Sequence, residues 1–283
     1  MNARAPLPRG ACDTHFHVFE DRERYPVRHE APLYDPPLAT IDALLAKHKA
    51  LGIERGVIGH THIYGRDYSL LLDFLKQAPQ GAYRGIVLID DTVDDKQLAA
   101  LHAGGVRGAR FHFQDRFGST LSMDEFHRSV ARIAELGWVT KVFVRGEDLQ
   151  ELQGELRKIK SPVLLDHMGR LDFGRGTSQE SFEVILSLLR LENWWMLLCN
   201  GDVRDEGPAQ PWSDSIPFGR AYYETAPDRC IWGSDWPHAA YVRRGFAPPD
   251  DFALLDLLDR FLPSAEARRA VLTDNPAKLF GFP

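Results

Sequence analysis

The sequence predicts an α/β fold of the (β/α)8 class, a distorted TIM barrel that takes up the whole chain, 1–283, as a single domain. Three observations predict it. Short apolar, β-branched runs alternate with stretches of helical spacing, as in a chain of parallel β-α units. Eight such runs fall within 283 residues, and one closed barrel needs roughly 250. Polar residues also collect where the runs end, on the side where barrels carry their chemistry. An open nucleotide-binding sheet is disfavoured, because no GxGxxG follows a first strand and "GGVRGAR" leads into a strand rather than a helix.

The first run, Gly10–Asp13, leads into "DTHFH". Next comes the irregular stretch Val18–Ala39, with Pro26, Pro32, Pro36 and Pro37 beside Tyr25 and Tyr34. A long loop after a first barrel strand should overhang the mouth. Ile41, Leu44, Leu45, His48 and Leu51 then share one helical face, with Thr40 placed to cap it. The second run, Gly56–His60, gives way to Thr61 and His62, and the third, Tyr83–Ile89, to the turn-forming pair Asp90 and Asp91. Asp94 should cap a helix that stops at a glycine pair. The fourth run, Val106–Phe113, carries Arg110 and His112, with Arg116 just beyond. "SMDE" at Ser122–Glu125 is a capping box opening a helix to about Leu136.

The fifth run is Trp138–Val144. The sixth, Val163–Leu165, ends in Asp166, His167 and Arg170. The seventh, Trp194–Cys199, leads to Asn200, Asp202 and Arg204, and the eighth, Arg229–Trp232, to Asp235. No linker, repeat or domain boundary interrupts the pattern.

Composition excludes several classes. The net charge is -6 and no Lys/Arg-rich run occurs, so neither a nucleic-acid backbone nor an anionic membrane is an expected partner. No apolar run is long enough to cross a bilayer. The start, "MNARAPLPRGACD", lacks the apolar core of a secretory signal. Cys12, Cys199 and Cys230 show no CxxC spacing and read as small buried side chains in a reducing cytoplasm, the expected location. Nothing fixes the oligomeric state, and a homo-oligomer stays open.

A single histidine at a strand end is commonly a structural hydrogen-bonding residue, and Asp166 alone could serve only to orient a neighbour. Residues two apart on a strand share a face, however, so His15 and His17 point together into the barrel or its mouth. His167 and Asp235 reach the same rim from other strand ends. Packing does not call for that convergence.

"DTHFH" after the first strand, "DHMGR" after the sixth, "WGSDWPH" after the eighth and the closing "TDNPAKLFGF" together resemble the amidohydrolase superfamily, in order along nearly the whole chain. Within it, "GIVLIDDTVDDKQLAALHAGGVRGARFHF" and "SPVLLDHMGR" are similar to the branch of 2-pyrone-4,6-dicarboxylate lactonases, sugar-acid lactonases and galactarolactone isomerases. The resemblance implies a hydrolase of aromatic or sugar-acid catabolism. Such an enzyme opens a carboxylated lactone (pyrone, mucono- or sugar-acid) by attack of water. Asp235 would be the general base, and His15, His17 and His167 would donate to the developing oxyanion. Arg110 and Arg116 match two arginines that hold substrate carboxylate in that branch, and Tyr34 matches a substrate-contacting tyrosine.

Metal-dependent members use the HxH pair, a carboxylate or modified lysine on the fourth or fifth strand, histidines on the fifth and sixth, and the eighth-strand aspartate. Here the fifth strand reads "WVTKVFV" without histidine; Lys141 falls mid-strand and Phe143 nearer its end. The lactonase branch shares this departure and works without metal, so no cofactor is expected. A single zinc on His15, His17, His167 and Asp235, supplemented by His60, His62 or His112, is the alternative. Where the pyrone lactonases have a serine this chain aligns His62, a substrate-site position; for their tyrosine it has Phe143, and for an asparagine Ala240. Those lost donors imply a different lactone. The rival readings are a zinc-dependent decarboxylase, a lactone isomerase, and a barrel that only binds organic acids.

Overall fold

The computed structural model describes residues 6–28, 35–113, 121–203 and 212–283. Eight strands form one sheet in sequence order, each parallel to the next. They are β1 Cys12–Phe16, β2 Arg55–Gly59, β3 Tyr83–Leu88, β4 Val106–His112, β5 Val139–Phe143, β6 Val163–Leu165, β7 Trp194–Leu198 and β8 Cys230–Trp232. The ring closes where Phe16 bridges Trp236 in parallel sense. Asp235 donates its backbone N–H to the His15 carbonyl at 2.8 Å, and His17 donates to that of Trp236 at 2.7 Å. The chain is a single TIM barrel.

Helices separate the strands: α1 Ile41–Leu51, α2 Ser69–Gln77, α3 Asp95–Ala103, α4 Met123–Glu135, α5 Gly146–Leu156, α6 Glu180–Leu189 and α7 Ile216–Thr225. After β8 come α8 Ala239–Arg243, α9 Asp251–Phe261, α10 Ala265–Arg269 and α11 Asn275–Phe280. The caps fall where the sequence put them. Thr40 accepts from Ala43, and Asp94 and Ser122 each complete a reciprocal capping box. Such a cap contributes about 1 kcal/mol. Helix α4 buries Phe126, Val130 and Ile133, the i, i+4, i+7 spacing of a face laid against a sheet.

One strand departs from expectation. The first was placed at Gly10–Asp13 from its apolar residues, yet β1 runs Cys12–Phe16, through polar Thr14 and His15. Between Asp13 and Phe16 its pairing with β2 shifts: three steps on β1 oppose two on β2. That extra residue is a bulge, which re-aims side chains locally. Cys12 packs with Val57, Ile86, Val139, Leu164 and Ile231, whereas Asp13 meets His48 of α1. His15 within the bulge and His17 beyond it approach Asp235.

The opposite end of the barrel is filled. Leu279, Phe280 and Phe282 join the same inner cluster. The guanidiniums of Arg55 and Arg84 lie over the Phe282 ring at 5.2 and 4.7 Å. No helix among the described residues is long and apolar enough to cross a membrane.

Candidate active site

Two glycines make room for the paired histidines. A Cβ on Gly59, at the end of β2, would stand 2.8 Å from His17 Cε1, and one on Gly233, after β8, 2.7 Å from His15 Cβ. Both are closer than real Cβ atoms come. His15 and His17 then meet edge to face, ring centroids 4.8 Å apart, and His167 lies 4.9 Å from His15.

Just after three strand ends, a site residue sits in the left-handed region: His167 (φ 48), Asn200 (φ 62) and Asp235 (φ 61). That conformation costs an L-residue about 1–3 kcal/mol and is characteristic of functional turns. Each follows a strand end, and each turn bends the side chain back over the mouth. Asp235 Oδ1 thereby reaches 3.4 Å from His15 Nε2 and 3.7 Å from His17 Nε2.

Hydrogen bonds fix two tautomers, since a carbonyl only accepts and an ammonium only donates. His17 Nδ1 lies 2.7 Å from the Gly59 carbonyl, so Nδ1 carries the proton and Nε2 offers a lone pair. Lys141 Nζ lies 2.9 Å from His15 Nδ1, so His15 carries its proton on Nε2, facing Asp235. His167 Nε2 accepts from Arg110 at 3.1 Å, so its proton is on Nδ1, which faces the side-chain amide of Asn200 at 3.1 Å.

Behind these rings lies a buried ion cluster. Asp166 pairs with Arg110 at 2.5 Å and Lys141 at 3.2 Å. Burial pushes the Asp166 carboxyl up, but Arg110, His167 and Lys141 outweigh it and hold it well below the usual range. Burial lowers Lys141 to about 8, with Asp166 resisting, so it is an ammonium at neutral pH. Burial and nearby cations hold His15 well below its ordinary value and His17 at about 3. Both imidazoles are neutral. Asp235 moves the other way: burial raises it to about 6 against the pull of His238, Arg110 and Asn200. A carboxylate poised there is a general base near neutrality.

The mouth is a cavity of about 100 Å³, lined by His17, Thr61, His62, Arg110, His112, Phe143, His167, Arg170, Asn200, Asp235, Ala239, Ala240 and Arg243. Arg110 and Arg170 flank the Phe143 ring, their guanidinium carbons 4.6 and 4.9 Å from its centroid. The structure thus brings His15, His17, His167, Asp235, Arg110 and His62 together. It puts His60 elsewhere, bonded to the Gly65 carbonyl at 3.0 Å. Tyr34, Arg116 and Arg204 lie outside the described residues.

Sequence reasoning set Lys141 aside as a mid-strand residue. It is 0% exposed and touches both His15 and Asp166. A lysine inside an unbroken apolar strand was the available signal, since a buried ammonium requires a counter-charge. Arg110, which the resemblance assigns to substrate carboxylate, has Asp166 of the protein itself beside it.

Comparison with known proteins places the chain in a family. The family model "Amidohydrolase" matches residues 12–282. A 4-sulfomuconolactone hydrolase of Rhizobium radiobacter is 36% identical over 279 residues, covering 97% of this chain and 91% of the relative. A 2-pyrone-4,6-dicarboxylate hydrolase of Comamonas testosteroni is 34% identical over 282 residues, covering 97% and 91%. A solved apo structure from Agrobacterium tumefaciens superposes with TM-score 0.84 at 28% identity, over 98% of each chain. The chain belongs to the amidohydrolase family.

Proposed function

We propose that the protein hydrolyses the ring ester of a small lactone bearing an acidic group, without a metal. One observation carries the reading: Asp235, raised to about 6 in a cavity that also presents His17 and arginines, stands against the neutral imidazole of His17 and that of His15 just behind. Similarity to relatives named as lactone hydrolases supports the substrate class.

Asp235 and the His17 Nε2 lone pair hold a water by accepting its hydrogens. The water oxygen bonds to the lactone carbonyl carbon while its proton passes to Asp235. The carbonyl oxygen becomes an oxyanion against the Nε2–H of His15. Collapse breaks the bond to the ring oxygen, which takes the proton back from Asp235, leaving an acyclic hydroxy acid. Preorganised donors of this kind contribute about 3–4 kcal/mol each to such barriers. The tautomers thus divide the roles that sequence gave jointly to three donors: His15 donates, His17 accepts, and His167 holds the place between Arg110 and Asn200. A guanidinium–carboxylate contact at Arg170 or Arg243 would seat the acidic group.

Zinc is the alternative electrophile, and two groupings of side chains are close enough to be tried as ligands: His15, His17 and Asp235, or His15, Asp166 and His167. Zinc needs a deprotonated nitrogen from each imidazole. His17 Nε2 qualifies. His15 Nε2 is protonated while Lys141 donates to Nδ1, and Asp166 is already taken by two cations. The donor set fits the ion poorly.

The test is a panel of carboxylated and neutral five- and six-membered lactones in H2(18)O, with and without chelator, beside metal analysis of the purified protein. Turnover of acidic lactones with one solvent oxygen incorporated, unaffected by chelator, is the expected result. Products without solvent oxygen would make the protein an isomerase. Stoichiometric zinc whose removal abolishes turnover would overturn the metal-free reading, and carbon dioxide release would make the protein a decarboxylase.

A further inference from the structure

The proposed reaction uses His15 as a donor, but a neutral imidazole has two tautomers, and only one points its proton into the site. Lys141 sits where that choice is made. It rises from the middle of β5, in register with Arg110 on β4, and is fully buried. Its Nζ has two partners among the described residues, His15 Nδ1 at 2.9 Å and Asp166 Oδ1 at 3.2 Å. Asp166 is in turn held by Arg110, so it already has one cation, and Lys141 is not required for charge balance there. The ring it touches stands between its nitrogen and the carboxylate of Asp235, 3.4 Å beyond Nε2.

We propose that Lys141 is a positioning residue: its ammonium donates to His15 Nδ1, locks the ring as the Nε2–H tautomer, and places a fixed positive charge behind the donor that meets the oxyanion. It never touches substrate. An imidazole polarised this way is a stronger donor, because the ammonium on its far side stabilises the negative charge that builds on the ring as Nε2–H donates. The inference rests on the lactonase reading for its catalytic consequence, while the tautomer itself is a property of the resting protein.

The experiment therefore has two arms. Nitrogen-15 histidine NMR of the wild-type protein at pH 7 should show His15 protonated at Nε2 with Nδ1 as an acceptor. In Lys141→Met, close in length and uncharged, the Nδ1–H form should appear. With the fastest lactone of the panel, Lys141→Met should lower kcat by about 100-fold, the scale of losing one oxyanion donor, while KM stays within about threefold. A purely structural lysine would lower the folded fraction and leave kcat per folded molecule alone. That result, or an unchanged His15 tautomer in the variant, would overturn the proposal. Should Lys141→Met fail to fold, the wild-type spectrum decides alone, since Nδ1–H at His15 contradicts the assignment. Should no lactone turn over, the NMR arm still stands and the functional reading is what has failed.

Discussion

Asp235 is asked to be buried and charged at once, and that conflict makes it useful. With its carboxyl at about 6, kcat/KM of the proposed reaction should rise with pH through that value and level off above it. Asp235→Asn should cut kcat by about a thousandfold, within the range for loss of a general base. The same substitution should stabilise the fold. A folded-state carboxyl raised above its unfolded value of 3.8 disfavours folding wherever it must ionise: fully above about pH 6, and not at all below about 4. Replacing it with a neutral amide relieves up to about 3 kcal/mol at pH 8. Thermal unfolding should therefore show Asp235→Asn with a higher Tm than wild type at pH 8 and little difference at pH 4. An equal or lower Tm at pH 8 contradicts the buried charge. At this scale the sequence was legible where a polar residue ends an apolar run, as His15, His17, His167 and Asp235 do. It was illegible at Lys141, whose partners are 126 and 25 positions away and set by barrel closure rather than by local pattern.

Strand ends do the placing. Asp13, on the outer side of the β1 bulge, accepts from the backbone N–H of His15 at 3.1 Å and of Ser234 at 2.9 Å, and from the Ser234 hydroxyl. It ties the strand carrying the imidazoles to the turn carrying the base. His48 of α1 bonds the Tyr83 hydroxyl at 3.0 Å and approaches Asp13 at 3.4 Å, holding that clamp from outside the barrel. Between the clamped ends the fit is tight, so Gly59→Ala should press a methyl against His17 and move the water-holding nitrogen. We expect kcat to fall at least tenfold while Tm drops by only a few degrees; an unchanged kcat would show that His17 can shift without loss. Helix positions and caps were readable because helices answer to local spacing. The first strand was misplaced because its middle is polar, and the apolar-run criterion stops where function begins.

Across the whole molecule, charge is divided. The chain carries net -6, yet the mouth collects Arg110, Arg170 and Arg243 among its walls. A cationic recess in an anionic body draws anions inward over a distance that salt shortens. Raising ionic strength from about 0.02 to 0.5 M should lower kcat/KM several-fold for an acidic lactone and leave a neutral one unchanged; parallel curves would remove the arginines from substrate capture. The barrel itself was predictable from eight alternating units in a chain of this length. The substrate was not, because single side chains such as His62, Phe143 and Ala240 line the mouth without altering the pattern that predicts strands and helices.

The aromatic stopper formed by Phe280 and Phe282 beneath the barrel has a bearing on turnover. With that end corked, reactant and spent acid share one doorway. In the proposed reaction the acid leaves carrying one more negative charge than the ring that came in, past the same arginines that welcomed it. The opened product is thus expected to compete with the ring for that doorway, so that progress curves should bend as acid accumulates unless a following step draws it away.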